Sequence, residues 1–501
     1  ALSPQAINLL RQLPSPNTPS SSLTQNNFAA SGNGTVNGDQ ADVRIDVPVN
    51  QKLRTFGRYD YALYRLLGAP AFGPIGGQGF GVTNTTGSSL VQNQSIAAGG
   101  DYIVNASLLT DFRFGFLDYH VSENKYSGGT PALAAGIPNL NTLPDTTGLP
   151  SFNISDSSIS NFGSQNCNCP LLESEQVFQI NNNWTKVVGN HTLKFGADIR
   201  YALNLRNASD NNRTGVLNFN SGATAGPNGA GSGLASLLFG DVNEFQRFDV
   251  YIDNAANRQK RFAFYGQDSY HVNQKLTVNY GVRWDIIYPE TVTPSGAGGF
   301  SSLVSGGTRV AGVDGIGSNG NQKMDYLNIA GRLGFAWQVA PNIVVRGGIG
   351  QVYDDVGFFG TLFGSVLTHN LPVLANEDIT ANNATGQYAT TLASPPVRPP
   401  APTIPANGII PLSNSFNPQF RTERIQLPEV DQWNVAVQQQ FGANTTLEIA
   451  YVGNHAERIY PGETYGFDLN APVLAKSPAE IASGDIAMRR PFYNKFVSTY
   501  N

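Results

Sequence analysis

The sequence predicts an all-β fold, an antiparallel transmembrane β-barrel with long loops on one side. Three observations predict it. Apolar and polar residues alternate over long stretches, these stretches come in pairs separated by very short turns, and long polar segments join one pair to the next. A membrane-crossing strand needs about 9–11 residues of alternating hydrophobicity, and short turns on one side with long loops on the other are typical of outer-membrane barrels.

The clearest single strand covers residues 193–205. Every odd position in it is apolar, and five of the six even positions are polar or glycine. Strands of soluble proteins usually have only about 5–6 residues. A strand that keeps one apolar face for thirteen residues is the length that a bilayer requires.

Five further pairs repeat this pattern, so we predict six hairpins and about twelve strands. The predicted short turns are 50–52, 105–107, 188–192, 273–275, 341–342 and 442–444. The predicted long connections are 62–94, 121–175, 206–259, 289–328 and 355–429, all rich in Gly, Asn, Ser, Thr or Pro. Structureless loops of this length are uncommon in compact soluble domains.

Composition narrows the class further. The 501 residues are 40% hydrophobic and only 13% charged, with 54 glycines, which suits strands and turns better than helices. The net charge of −5 comes without a basic block, which argues against a nucleic-acid partner. Helical signals are few: a helix capped by Ser3, a short loop helix at 233–241, and a capping box at Ser477. We therefore divide the chain into a lead-in segment with a short helix, 1–40, and a barrel portion, 41–501.

The charged residues on the second face of the strands are the candidate functional residues. A charge that faces lipid at mid-depth costs about 2–4 kcal/mol, so these side chains are expected to face the lumen. The lumen-facing candidates are Lys194, Asp198, Arg200, Arg283, Asp285, Arg332 and Arg346.

Tyrosine recurs on the apolar face of the second strand in five hairpins. In four of the five it lies near the strand end away from the short turn. Amphipathic rings are enriched at membrane–water boundaries, which predicts an aromatic girdle at the outer side. Its members are Tyr61, Tyr201, Tyr288, Tyr353 and Tyr451.

Other residue clusters give weaker predictions. Cys167 and Cys169 have too few neighbouring ligands for a zinc site, which favours a thiol pair in a surface loop or a disulfide in an oxidising compartment. One loop offers oxygen ligands of the kind calcium prefers, although their spacing does not fit an EF-hand. These calcium candidates are Asp314, Asn319, Asn321 and Asp325.

The sequence gives no sign of an enzyme. The five histidines are scattered, and His191 lies at a predicted short turn, where a solvated side chain is expected. No nucleophile, base and oxyanion site come together, and no phosphate-binding or metalloprotease motif occurs. We predict neither enzymatic activity nor a cofactor.

Three blocks carry a family resemblance: "FAFYGQDSYHVNQKLTVNYGVRWD", "GRLGFAWQVAPNIVVRGGIGQVYD" and "QWNVAVQQQFGANTTLEIAYVGNHAERI". They resemble the barrel of TonB-dependent outer-membrane receptors, most closely the Oar-like group abundant in acidobacteria. The resemblance covers nearly the whole chain, with the loops as gaps.

The resemblance implies a 22-stranded barrel, an internal plug and energy supplied by the TonB complex. It also implies uptake of scarce or large substrates such as siderophores, cobalamin or glycans, captured by the long loops. We expect this chain to be the middle of a larger protein, because about twelve strands are present and the plug and the N-terminal regulatory domain are not recognisable. The expected partners are outer-membrane lipid, a small-molecule or glycan ligand, and TonB through regions outside this chain.

Two alternatives remain open at this stage. One is a structural or adhesive protein of the outer-membrane surface, whose loops bind matrix, glycan or another copy. The other is a closed 12-strand pore without energised transport.

Overall fold

The computed structural model describes residues 1–20, 26–82, 86–155, 159–165, 169–206, 213–226, 229–302, 305–353, 367–381, 386–412, 416, 418–459, 477, 478 and 489. The predicted helix that begins at Ser477 lies largely outside these residues.

Twelve long antiparallel strands of 11 to 19 residues form the main sheet, in which each strand pairs with its neighbours along the chain. We call this sheet the wall. Its strands are β1 (Gly34–Pro48), β2 (Leu53–Gly68), β4 (Gly87–Asn105), β5 (Leu108–Asn124), β8 (Leu171–Val188), β9 (His191–Arg206), β13 (Ala256–Asn273), β14 (Leu276–Ile287), β18 (Ile329–Ala340), β19 (Ile343–Tyr353), β23 (Glu429–Phe441) and β24 (Thr445–Glu457).

The six predicted hairpins are confirmed, because each predicted pair of strands is joined at its predicted short turn. Three of the predicted long connections were too long. β2 continues to Gly68 and β4 begins at Gly87, so much of 62–94 is strand, and β8 and β13 likewise begin inside the predicted loops. The strands therefore extend past the length that a bilayer needs.

The register of the wall fixes its two faces, because directly opposed residues in a sheet lie on the same side. One face carries Leu193, Phe195 and Ile199 and is the apolar face; the other carries Lys194 and Asp198 and is the polar face. β1 and β24 lie at the two ends of the strand order and do not pair with each other in the described structure.

The remaining elements lie in segment 1–20 and in the connections between hairpins, and together they form what we call the cap. The helices are α1 (Pro4–Leu10), α2 (Pro131–Ala134) and α3 (Gly233–Phe239), with single 3-10 turns at Gly73–Ile75 and Gly222–Thr224. The cap strands are β3 (Gly76–Gly77), β6 (Ser151–Ile154), β7 (Phe162–Ser164), β10 (Val216–Phe219), β11 (Asp241–Val242), β12 (Glu244–Val250), β15 (Thr291–Thr293), β16 (Gly299–Ser301), β17 (Gly307–Val310), β20 (Leu374–Thr380), β21 (Thr390–Thr391) and β22 (Ile409–Pro411). No helix in the described residues is long and apolar enough to cross a membrane.

The long connections fold together rather than separately. Six cap strands from four different connections form one sheet in the order β20-β12-β10-β6-β7-β3. α1 joins them: Ser3 caps it by accepting a hydrogen bond from the backbone of Ala6, and Ala6 and Leu9 are fully buried in the cap core. The predicted helices at Ser3 and at 233–241 are confirmed. The domain division at residue 40 stays a prediction, although β1 already begins at Gly34.

Candidate functional site

The predicted lumen residues share the polar face of the wall. Between β9 and β13, Lys194 lies opposite Gln267, and Arg200 lies opposite Arg261. The same face continues across β14, β18 and β19, as the register shows for Arg283, Asp285, Arg332 and Arg346. That this face lines a lumen stays a prediction.

A cavity of about 240 Å³ lies on this face near the cap end of the strands. Four arginines and two aspartates from β9, β13, β14 and β18 line it, so the local net charge is positive by two. These residues are Asp198, Arg200, Arg261, Arg283, Asp285 and Arg332. The strand alternation positions them, because residues two apart in one strand project on the same side.

Two of the arginines are held by aspartates of their own strands. Arg200 Nη2 lies 2.9 Å from Asp198 Oδ2, and Arg283 Nη2 lies 2.9 Å from Asp285 Oδ1. The side chain of Arg332 has no hydrogen-bond or ion-pair partner among the described residues. A guanidinium presents several donors in a fixed fork that matches carboxylate and phosphate groups. The cavity can therefore bind an anionic group through Arg332.

The cap packs against one edge of this cavity. Ile287, at the end of β14, is buried in a small cluster with Ile425 and Leu427 of the last connection, and Tyr353 packs against it. Ile287 and Tyr353 also line the cavity. Because Ile287 and Tyr353 both line the cavity and pack with the last connection, a movement of that connection would change access to the arginines.

Buried ion pairs link different segments of the cap. Arg247 of β12 donates to Glu377 of β20 at 2.7 Å. Asp249 accepts from Arg247 and from Arg398, which lies in the proline-rich segment 394–405 of the last connection. Burial raises the pKa of Glu377 to about 7 even though the Arg247 guanidinium opposes this shift. These contacts join the third and the fifth connections.

Lys125, directly after β5, is a partly buried charge of the cap. Its ammonium group donates to the backbone oxygen of Leu149 and to the hydroxyl of Thr214. Burial, with a smaller contribution from the nearby guanidinium of Arg213, lowers the pKa of Lys125 to about 7.

Four of the five predicted girdle tyrosines lie 9 to 13 residues from their short turns, and Tyr451 lies seven residues from its turn. Tyr201 pairs with Lys260, which also accepts a backbone hydrogen bond from Tyr288, so the two tyrosines lie in one row across the wall. The next row outward is polar, with Tyr61 opposite Gln94 and Gln94 opposite Asp118. This change of polarity supports a membrane boundary, and the girdle stays a prediction.

Two weaker predictions also stay predictions. Three of the calcium candidates bond within their own turn: Asn319 and Asn321 accept from nearby backbone amides, and Asp325 accepts from the amide of Leu327. The described residues contain no group of three or more His, Cys, Asp or Glu side chains arranged for a metal. Cys169 is buried, and Cys167 lies outside the described residues.

Sequence reasoning missed two features, the position of Arg261 in the cavity and the contact between His191 and Asp268. Arg261 lies in the cavity, although it precedes the part of β13 with clear alternation. The side chain of His191 is exposed, as expected at a short turn, but its Nδ1 also lies 2.6 Å from the buried carboxylate of Asp268. The contact between His191 and Asp268 joins β9 and β13, which are far apart in the sequence. No local sequence pattern indicates such a contact.

The whole chain, residues 1–501, matches the model of one family, the outer membrane beta barrel domain. The chain belongs to this family. This outer-membrane barrel is accordingly located in the bacterial outer membrane. Contact between lipid and the apolar face of its wall stays a prediction.

Several solved structures are similar to the barrel at low sequence identity. The outer membrane transporter YddB from Escherichia coli shares 12% identity over 86% of this chain and 42% of its own length, with a TM-score of 0.46. The FrpB iron transporter from Neisseria meningitidis shares 8% over 85% of this chain and 46% of its own, with a TM-score of 0.43. The ferric yersiniabactin uptake receptor FyuA from Yersinia pestis shares 10% over 87% and 48%, with a TM-score of 0.39. The chain spans less than half the length of each, and no curated protein matches it.

Proposed function

We propose that this chain supplies the wall and cap of a TonB-dependent receptor, of the Oar-like type, that takes up a scarce or large substrate. The substrate class is a siderophore, cobalamin or a glycan. The cap admits the ligand, the polar face of the wall conducts it, and plug displacement by TonB uses regions outside this chain. No step requires covalent catalysis by the chain.

The observation that carries this proposal is the arginine-lined cavity at the cap end of the polar face. Arg332 is exposed and its side chain has no hydrogen-bond or ion-pair partner among the described residues, so its guanidinium is accessible to an anionic ligand. Arg332 and its neighbours suit a ligand with carboxylate, catecholate or phosphate oxygens. Within the three substrate classes, the cavity therefore favours the anionic members.

The experiment is a binding titration of the detergent-solubilised chain with four probes: ferric enterobactin, ferric citrate, cyanocobalamin and maltohexaose. We expect at least one anionic probe to bind, and Arg332→Ala to weaken its binding by about tenfold, the effect of one charged hydrogen bond. Arg11→Ala is the matched control, because Arg11 is exposed at the end of α1. The cavity is not the ligand site if Arg332→Ala and Arg11→Ala bind the probe equally.

The two alternatives give different results in the same preparation. A closed 12-strand pore requires β1 to pair with β24 and conducts ions steadily across a planar bilayer. An adhesive surface protein binds none of the four probes and agglutinates cells that display it. Either result without probe binding would contradict the receptor proposal.

A further inference from the structure

The apolar face carries a groove of about 890 Å³ that crosses β9, β13, β14, β18 and β19. One of the two register rows that border it runs through Phe195, Gly266, Val282 and Gly331, and beyond Gly331 the groove is bordered by Gln351 and Asp431. The row lies on the apolar face, which is predicted to contact the bilayer. The groove therefore opens on the opposite side of the wall from the arginine-lined cavity, although Arg332 and Gln351 border both.

Two glycines make the depression. A Cβ atom added to Gly266 or Gly331 would meet no atom within 4 Å, so both positions open into free space. Their row neighbours Phe195 and Val282 carry large side chains. A gap between large apolar side chains forfeits dispersion contacts unless another molecule fills it.

The second register row gives the groove a polar end. It contains Leu193, Asp268, Tyr280, Leu333 and Ile349. The side chain of Asp268 is only 4% exposed, and its Oδ2 accepts hydrogen bonds from His191 Nδ1 at 2.6 Å and from the Tyr280 hydroxyl at 2.8 Å. A carboxyl group on a lipid-facing surface needs such partners, since an isolated charge there is costly.

His191 is the exposed member of this polar end. Its side chain is 40% exposed, and its ring stacks on Tyr270 with the ring centres 4.2 Å apart. The bond to Asp268 and the stacking fix the ring, while Nε2 has no hydrogen-bond partner among the described residues. The polar end thus presents one oriented hydrogen-bonding atom to a neighbouring molecule.

The polar end lies nearer to the membrane boundary than the apolar end. Leu193 is the third residue of β9, counted from the short-turn side, whereas Leu333 is eight positions before Pro341 at its turn. We convert these positions to heights along the membrane normal with a rise of about 3.3 Å per residue and a strand tilt of about 45°. Leu193 is then about 5 Å above the start of β9, and Leu333 is about 19 Å above Pro341. From Leu193 to Leu333, the positions in this register row therefore lie progressively farther from the periplasmic boundary and closer to the middle of the bilayer.

We propose that this groove binds one phospholipid of the periplasmic leaflet. An acyl chain lies over Gly266 and Gly331, and the headgroup is hydrogen-bonded to Nε2 of His191. A phospholipid matches the part of the groove from His191 to Gly331, before Gln351 and Asp431, because it too is polar at the boundary and apolar toward mid-depth. The proposal rests on the location in the outer membrane and is independent of any transported substrate.

The test is native mass spectrometry of the full chain in detergent, titrated with dioleoyl phosphatidylethanolamine. We expect one bound lipid, and we expect Gly266→Leu/Gly331→Leu to weaken it by at least about tenfold, because the new side chains occupy the space of several methylene groups. Gly57→Leu is the matched control: Gly57 is another glycine of the apolar face with open space around it, but in β2. His191→Ala should weaken binding about fivefold, the value of one hydrogen bond.

A second measurement needs no variant. Dihexanoyl phosphatidylethanolamine has the same headgroup but short chains, so it should bind at least about tenfold more weakly than the dioleoyl lipid. Equal binding of the two lipids would overturn the proposal, as would unchanged affinity of the double glycine variant. Binding of lipid A in place of the phospholipid would also overturn the proposal. So would the finding that the chain binds no lipid but forms a dimer, and that the double glycine variant disrupts this dimer.

Discussion

The wall and the cap are built by opposite rules. In the wall, every long strand pairs with strands that neighbour it in the chain, as β18 does with β14 and β19. In the cap, most pairings join different connections: β12 runs antiparallel to β20, and β10 runs parallel to β6. The wall is thus specified locally, whereas the cap forms only when several distant segments meet.

The two regions also differ in what stabilises them. Wall residues such as Leu333 and Ile349 are more than half exposed, so the bilayer must cover them. The cap has its own core, in which Phe152, Phe219 and Phe245 are fully buried. A core substitution should therefore act on the cap alone, and a charge on the apolar face should act on the wall.

Phe245→Ala should produce the largest effect, confined to the cap. Truncating a fully buried phenylalanine costs about 3–5 kcal/mol. Amide hydrogen exchange should accelerate in β6, β10 and β12 and stay unchanged in β14 and β18. Phe239→Ala is the control: Phe239 belongs to α3 but is 49% exposed, so its truncation should cost less than about 0.5 kcal/mol. Equal loss of protection in both regions would mean that wall and cap unfold as one unit.

Ile180→Arg should destabilise the wall and leave the cap folded. Ile180 lies opposite Ile199 on the apolar face, and a lipid-facing arginine costs about 2–4 kcal/mol at mid-depth. Its neighbour Asn181 lies opposite Asp198 on the polar face, so Asn181→Arg should be tolerated. Urea unfolding in phospholipid vesicles measures both variants. The assignment of the faces is wrong if Asn181→Arg is the more damaging change.

Lys125→Met should change how the stability of the cap depends on pH. Because burial lowers the pKa of Lys125 to about 7, the unfolded chain binds more protons than the folded one between pH 7 and 10.5, and stability rises with pH in that window. Methionine removes this rise and should stabilise the cap at pH 7 by about 1–3 kcal/mol, after the loss of two hydrogen bonds. Hydrogen exchange of the cap at pH 7 and 9 measures the slope. An unchanged slope would show that Lys125 stays charged in the fold.

Much of the wall could be predicted because its signal is local. Period-two alternation in residues such as Leu193, Phe195 and Ile199 identifies both the strand and its lipid-facing side. The same parity placed Arg283, Asp285 and Arg332 on one face before any register was known.

The cap could not be predicted in this way. Ala6 of α1 packs in one core with Leu237 and Leu392, which lie far away in the sequence. Such contacts leave no periodic pattern, and the Gly- and Asn-rich composition of the connections indicates only turns. The same reason hid the contact between His191 and Asp268.

The central claim, that the apolar face contacts lipid and the polar face contacts water, can be tested at two adjacent residues. In a chain with both native cysteines changed to serine, Arg332→Cys and Leu333→Cys are reconstituted in vesicles of phosphatidylethanolamine and phosphatidylglycerol and treated with a membrane-impermeant maleimide. The structure predicts that Arg332→Cys is labelled and that Leu333→Cys is protected, because their side chains lie on opposite faces of β18. Labelling of Leu333→Cys as fast as Arg332→Cys would contradict the assignment of the two faces.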